Sequence, residues 1–542
     1  MRCQYSALCL GFCFFLAVSL FISVGCSPEY HKADADKEVY KIIDSKWDNN
    51  FGQKVNYIVS DAEPGPNDIQ PEKIIPSSGI LNLAQAVALA TAQNRDYQTQ
   101  KEQLYLSALG LTGTRHKYAR RWFATIDGTY LQENEDEDFS IDAGGGFDQT
   151  QFLGDTALIS TGLAVDWVRF LTGDPRTTLG SVLSASVTVP LLGTGAGKLA
   201  REELTQNERN VLYKIRSFNR FRKTFVVSIV SNYYQVLQRK NEVTNAWNNF
   251  ERVKETQKRL EAEAKVGRKP RFEVDQAEQN VLSARDGYVR TEQLYKQSLD
   301  EFKIKLALPT DVQIELDSNE LDALKTIGIS QPDYTLHAAI ETALLTRLDL
   351  ATSMDRIDDS LRNALLAADG LGAELNLVAS AEGGSAGKTR FSRLQFQKGD
   401  YLAGFEADLP LDRKLERNAY RQALIELDQQ QRAYENDIDI VKLNVREAYR
   451  QLQRAAESYR IQEISLDLAS KRVESTEILL RTGRARTRDL LEAQDDLLEA
   501  ENRVAAAMVD HTIAKLSFFR DVGILQVRPD GMWERQERLS KK

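Results

Sequence analysis

Along most of the chain apolar residues recur with the three-to-four spacing of a helix, and they switch to strict alternation in only a few short segments. Helical patterning begins at Leu81, where Leu83, Ala86, Val87, Ala90 and Asn94 share one face, and it predicts a helix running to about Tyr118. Phe123 to Gln132 reads as a strand, and a loop rich in acidic residues and glycine follows, including 136–138 and 144–146. Leu163 to Phe170 is a second, shorter strand candidate. In Leu183 to Val189 the residues Leu183, Ala185, Val187 and Val189 alternate with Ser184, Ser186 and Thr188, the pattern of a sheet with one apolar and one polar face. Pro190 closes that segment.

Two stretches then lack both glycine and proline: Lys198 to Val266, broken by Gly267, and Arg413 to Thr482, broken by Gly483. Helix interiors disfavour both residue types, so each reads as one helix. At 1.5 Å per residue each is roughly 100 Å long, far beyond a compact domain. Behind each glycine runs a second helix with a seven-residue apolar seam. The first has Val274, Val281, Tyr288, Tyr295 and Phe302; the second has Leu490, Leu497, Val504, His511 and Phe518.

The programme occurs twice. Leu336 to Leu350 aligns without gaps on Leu83 to Tyr97 at an offset of 253, Pro410 matches Pro190 at 220, and Gly483-Arg484 matches Gly267-Arg268 at 216. Leu371 to Ala379 and Phe405 to Leu409 repeat the alternation, so the longer first copy is expected to differ in a strand-to-strand loop. An internal duplication follows, with a first repeat at 79–325 and a second at 326–525. A polar linker fills Pro309 to Asp333, and a polar C-terminal tail is expected at 526–542. Two strands per repeat give four per chain, too few to close a barrel. Such a sheet either stays in water or is pooled with other copies, and pooling by three gives twelve strands around an open lumen.

Composition narrows the class. The chain has 542 residues, 42% apolar and 27% charged, with net charge −9, which argues against nucleic acid as main partner. All four cysteines fall within the first twenty-six residues, so no disulfide framework or thiolate metal site is available later. Arg2 followed by the apolar run Ala7 to Val24 reads as a signal peptide over 1–25. Ser23-Val24-Gly25-Cys26 resembles the bacterial lipobox, with Ser23 where leucine is usual; it implies lipidation of Cys26, and an uncleaved anchor helix is the alternative, since eighteen apolar residues reach the lower limit for spanning a bilayer. Proline-rich 26–78 reads as an irregular, extended tether behind that anchor.

The repeat opening LNLAQAVALATAQN, the strand ends Val189-Pro190-Leu191 and Leu409-Pro410-Leu411, and GRARTRDLLEAQDDLLEAE resemble the TolC-type outer-membrane efflux proteins, the outer membrane factor lipoproteins. The ordered set covers about 80–525. The resemblance implies a mainly α fold with a small β part: a homotrimer whose long antiparallel coiled-coil α-barrel continues into a twelve-strand transmembrane β-barrel, four strands per chain. It implies a passive exit duct in the outer membrane, lipid-anchored and reaching into the periplasm. Small molecules or polypeptides would be driven through it by an inner-membrane efflux pump or ABC transporter, via a periplasmic adaptor protein. The alternative is a structural coiled-coil envelope lipoprotein without a pore.

Candidate sites cluster at the two hairpin turns. Gly267, Arg268 and Lys269, and Gly483, Arg484, Arg486 and Arg488, are positive turns suited to docking an adaptor, or ordinary solvated turns. Asp489 and Glu492 lie three apart on one helix face. They match two acidic positions that form a selectivity ring in the family, with Glu where the second is Asp; solvated surface charge is the alternative. Such a ring favours cations and can hold a divalent ion. Glu273 is its first-repeat counterpart. Ala485 stands where the family's gate-locking arginine can lie. No catalytic constellation is visible, and no cofactor is implied. The run Gly193 to Lys198 has Leu at 192 and 199, where a phosphate loop needs Gly and Ser or Thr. The four histidines show no metal-ligand spacing.

Overall fold

A computed structural model describes residues 27–54, 56–59, 79–133, 136–153, 157–170, 177–192, 196–327, 329, 335–384, 394–409, 411–528 and 533–535. The signal peptide, Cys26, Pro410 and the linker's end at 330–334 lie outside the described residues.

The helices of the two repeats correspond one to one. In the first, α2 (Leu83–Gln93) and α3 (Arg95–His116) precede the strands, and α4 (Ala196–Lys265) and α5 (Arg271–Lys305) follow. The one helix expected over 81–118 is thus divided at Asn94, whose carboxamide oxygen accepts from the Tyr97 amide at 3.1 Å and caps α3. Asn82 and Gln85 form a reciprocal capping box that opens α2. The second repeat is built from α7 (Leu336–Thr346), α8 (Leu348–Asp369), α9 (Lys414–Arg481) and α10 (Thr487–Val522). The expected polar linker holds one short helix, α6 (Asn319–Ile327), and Glu315–Leu316 pairs in parallel with Ile80–Leu81.

The region expected to be an extended tether is in part a helix. α1 (Pro28–Lys46) opens on Ser27, whose hydroxyl accepts from the Tyr30 amide at 3.3 Å, and carries proline in its first turn, where a missing N–H costs nothing. Val39, Ile42 and Ile43 are buried at one-turn spacing and join Trp47 in the core formed with α2, α3 and α4. Scattered prolines suggested irregular chain there, but this apolar triplet decides the local fold. The tail likewise begins as structure: Leu525–Val527 pairs antiparallel with Trp533–Arg535.

Between α3 and α4 the chain makes four strands, β1 (Arg121–Glu133), β2 (Asp136–Leu153), β3 (Ala157–Phe170) and β4 (Thr177–Leu192). The second repeat adds β5 (Glu374–Gly384) and β6 (Asp400–Asp408). All six form one antiparallel sheet in sequence order. The expected count of four per chain is therefore corrected to six, and the acidic, glycine-rich loop expected before Leu163 is strand β2. Pro190 does not end its strand; β4 continues to Leu192 across a register shift between Pro190 and Leu192.

The register keeps the two faces distinct across the whole sheet. Trp122, Ala124 and Ile126 of β1 stand opposite Phe147, Gly145 and Ala143 of β2. Phe147 and Gly145 in turn face Leu163 and Val165 of β3, and Leu163 faces Leu183 of β4. Val187 of β4 faces Ala379 of β5, which faces Ala403 of β6. The opposite face carries Asp127, Asp148, Ser160, Ser186, Ser380 and Glu382, several of which line a shallow concavity of about 300 Å³. One face is mainly apolar; the other is mainly polar and concave, though Phe123, Phe152, Leu158, Val182, Val378 and Leu402 also stand on it.

Each strand block is joined directly to helices, which fixes the wall below it. Next to the sheet α3 packs on α4, α4 on α8 and α8 on α9; farther away α5 packs on α4, α4 on α10 and α10 on α9. The coiled-coil seams are buried as expected, with Phe302 at 1% exposure and Phe518 at 0%. Across the repeats α4 and α8 are bound by an ionic cluster. Asp359, on α8, is 2.5 Å from Arg209 and 2.7 Å from Arg362, and accepts from the Tyr213 hydroxyl at 2.6 Å. Burial alone would raise the pKa of Asp359, but these donors outweigh it and hold the carboxyl below its ordinary value. The same burial and the Asp359 hydrogen bond push Tyr213 up to about 12.

Candidate functional site

The two hairpin turns share one backbone solution. Gly267 has φ 75° and Gly483 φ 73°, the left-handed region in which a Cβ is strained. The amides of Arg268 and Arg484 reach back to the carbonyls of Glu263 and Leu479 at 2.9 and 2.8 Å, closing both long helices with a Schellman motif. Around the turns Arg268, Arg484, Arg486 and Arg488 are exposed, with Val266 and Phe272 beside the first turn at 70% and 67% exposure. The sequence reading named the cations and missed these two apolar neighbours.

The structure separates the candidate carboxylates by what each one touches. Glu273 is mostly buried: Lys269 lies 3.0 Å away, and the hydroxyl of buried Thr487 donates to the same oxygen. Burial raises its pKa, but the Thr487 and Lys269 hydrogen bonds prevail and hold it below the ordinary carboxylate value. Glu273 thus staples the first turn to the first residue of α10. Asp489 accepts from the Arg486 backbone amide at 3.0 Å, so it caps α10 where the helix dipole favours an anion. Glu492 is exposed, with Arg472 of α9 at 3.5 Å; that arginine also pairs with Asp496. Thr487 and Arg472 escaped the sequence reading, because only the folded hairpins bring them to these carboxylates.

Below the turns the walls are tied by polar pairs set within an apolar seam. Arg259 of α4 lies 2.9 Å from Glu477 of α9, and Gln494 of α10 donates to Thr256 of α4 at 3.2 Å. Val253, Leu260, Val274, Ala277 and Leu491 form the apolar cluster beneath them. Phe123, Tyr130, Trp167, Tyr401 and Phe405 are the residues the sequence offers for aromatic belts at the membrane interfaces or for core packing; Tyr401 and Phe405 are on the sheet's apolar face at 63% and 70% exposure, whereas the register puts Phe123 on the polar face. The side chains of Tyr130 and Trp167 lie outside the described residues. Among the described residues no helix is long and apolar enough to cross a membrane, and no group of three or more metal-ligating side chains occurs.

A duplicated helical wall ending in a two-faced antiparallel sheet is the fold of outer-membrane channels. The solved structures with this fold include the Campylobacter jejuni CmeC outer membrane channel, at TM-score 0.58 and 13% identity, covering 91% of this chain and 93% of that one. The open state of the Neisseria gonorrhoeae MtrE outer membrane channel matches at TM-score 0.58 and 13% identity, covering 86% and 96%. The Vibrio cholerae outer membrane protein VceC matches at TM-score 0.58 and 12% identity, covering 81% and 96%. By sequence, residues 339–519 match the outer membrane efflux protein family. No curated protein matches the chain. The second repeat thus matches that family by sequence, and the whole helix-and-sheet plan has the fold of these outer membrane channels.

Proposed function

We propose that this chain forms a homotrimeric exit duct through the outer membrane, through which cargo passes without chemistry. An inner-membrane pump, reached through a periplasmic adaptor, drives the flow. One observation carries the reading: a sheet with one mainly apolar and one mainly polar face runs straight into helices about 100 Å long, and the sheet's outermost strands, β1 and β6, each pair on one side only among the described residues. Lipid does not tolerate open sheet edges, so a membrane-spanning sheet of this kind needs further copies to close it. The helices support the same closure. Leu282 and Val289 of α5 are 62% and 48% exposed, and Ile461, Ile464 and Leu468 make an exposed stripe on α9. These are the two outer staves of the wall, and a neighbouring copy would cover both.

Within that assembly the arginine-rich turns with Val266 and Phe272 form the surface offered to the adaptor, and the Asp489 and Glu492 carboxylates ring the narrow end. Cys26 carries the lipid. The repeats are taken as 79–325 and 326–525, a division that the correspondence of the helices supports. The test is reconstitution of the purified full chain into planar bilayers: a detergent-resistant trimer that opens discrete conducting steps is expected. A stable, water-soluble monomer that leaves the bilayer silent would sink the proposal and favour the pore-less brace.

A further inference from the structure

A groove lies over α4 between α3 and α8, on the side of α4 opposite α1. We infer that it is a cargo site in the wall of the duct, and that it takes organic anions with an apolar body. The inference rests on the trimeric duct proposed above and deepens it by naming a class of cargo.

The first argument is the way the groove faces. One side of α4 is covered by the chain's extra elements. Phe218 packs on Trp47 at the end of α1, Arg222 donates to the Gln53 carbonyl at 2.8 Å, and the Tyr233 hydroxyl donates to the Leu81 carbonyl at 3.0 Å. Asn210, Ser217 and Thr224 recur at seven-residue spacing on the other side, and all three are exposed. Four staves per chain make twelve in a trimer; at about 10 Å each they close a ring roughly 40 Å across between axes, with a passage roughly 30 Å wide. A further layer of helices about 10 Å thick inside that ring would choke the passage to roughly 10 Å. The covered side of α4 is therefore the outside, and the bare side lines the passage.

The second argument is capacity and chemistry. The groove has a volume of about 900 Å³, within the range of sites that hold small organic molecules. Leu106 of α3, 61% exposed, and half-buried Phe221 of α4 give it an apolar patch. Lys214, Arg216, Arg220 and Arg356 line it against a single carboxylate, Asp349. Asp349 is already met by Arg220 at 3.1 Å and by Arg347 at 2.6 Å, and Arg216 is taken by Asp355 of α8 at 2.5 Å. Lys214 of α4 and Arg356 of α8 are exposed and have no ion-pair partner among the described residues. An anion entering between α3 and α8 thus meets two free cations beside an apolar patch, on a chain whose net charge is −9.

Exposed cations hold an anion weakly, which suits cargo that has to leave again. The carboxylates at the turns do not oppose this, because an anion that the pump has driven past them meets them only on the way back. Three copies set three such grooves at one level of the passage.

Cysteine reactivity tests the inference, because every native cysteine lies at or before Cys26. Ser217→Cys puts a thiol on the groove floor, and Gln235→Cys puts one about five turns farther along the same side of α4, outside the groove. In the purified full-length trimer, anionic sulfonatoethyl methanethiosulfonate should gain roughly tenfold over its trimethylammonium counterpart at Ser217→Cys relative to Gln235→Cys. Lys214→Gln with Arg356→Gln should abolish that gain. Naphthalene-1-sulfonate should slow modification of Ser217→Cys, and naphthalen-1-ylmethylammonium should not. Equal preference at both positions, a gain that survives loss of both cations, or no protection by the naphthalenesulfonate overturns the inference and leaves the duct standing. A polymer-linked maleimide on Ser217→Cys should stop the current of a bilayer-held channel; a current that continues puts the groove outside the passage and also overturns it. A particle that is monomeric overturns the trimeric duct itself.

Discussion

The two repeats agree in their helices and disagree in their strands. α2 and α7 both have 11 residues, α3 and α8 both have 22, α4 and α9 have 70 and 68, and α5 and α10 have 35 and 36. Against that near identity, among the described residues the large sheet takes four strands from the first repeat and two from the second. The contrast separates two kinds of constraint. Helices that pack side by side along a wall must keep common length and register, because one inserted residue rotates every later side chain by about 100° off its seam. A strand pair obeys only parity: a hairpin returns the chain to the side it left, so it widens a sheet without displacing either flanking helix. The helical half is thus fixed by packing, and the sheet half is adjustable in steps of two.

Removing the extra strands breaks this comparison most severely. Deletion of 136–170, which joins β1 to β4 through the residues between them, is expected to leave the trimer and both helical ladders intact. The helical unfolding transition should be unchanged while strand signal is lost, read by circular dichroism. A collapse of the helical transition would show that the hairpin bears on the helices below it.

Next in size is the cluster that binds the repeats to each other. Asp359→Ala removes the acceptor shared by Arg209, Arg362 and Tyr213, but Arg209 keeps Asp355 and Arg362 keeps Glu202, so the loss is about 1–3 kcal/mol, seen as a lower thermal midpoint. The folded carboxyl titrates below its ordinary value of 3.8. The unfolded chain therefore binds the proton first, and the stabilisation present at neutral pH is lost as pH falls through that range. Acid should thus erase the difference between Asp359→Ala and the parent chain; a constant difference from pH 7 to pH 3 would contradict the assignment.

The two turns sharpen the symmetry of the repeats. Gly267→Ala and Gly483→Ala meet no atom within 4 Å, so each should cost only the left-handed backbone penalty, about 1–2 kcal/mol, and the two should cost the same. Unequal thermal shifts would show that one turn bears a load the other does not. Smallest in stability is Asp489→Asn with Glu492→Gln, which should leave the fold intact while reducing cation preference and divalent block in bilayer recordings. Unchanged selectivity would remove these carboxylates from the filter.

The sequence was most legible where physical punctuation is sharp. Glycine ends both of the longest helices, and Gly267 and Gly483 adopt the positive φ that their positions suggested. β2 was illegible for an opposite reason. It carries Gly144, Gly145 and Gly146 with several aspartates, and glycine in quantity reads as loop. Here the glycine serves close approach, since a Cβ on Gly146 would fall 1.9 Å from the Leu163 carbonyl oxygen. α1 was missed because prolines around it outweighed the Val39, Ile42 and Ile43 triplet. At the turns, spacing alone put Asp489 and Glu492 on one helix face. The Glu273–Thr487 staple and the Arg472 partner of Glu492 were not, because residues far apart in the chain meet only once the hairpins fold.

The most direct measurement is a cryo-electron microscopy map of the purified full-length particle, viewed along its long axis. The account predicts three-fold symmetry, with twelve helices in cross-section below a closed β-barrel and an open lumen through both. A single copy, or an assembly whose sheets remain open at the edges of β1 and β6, would contradict it.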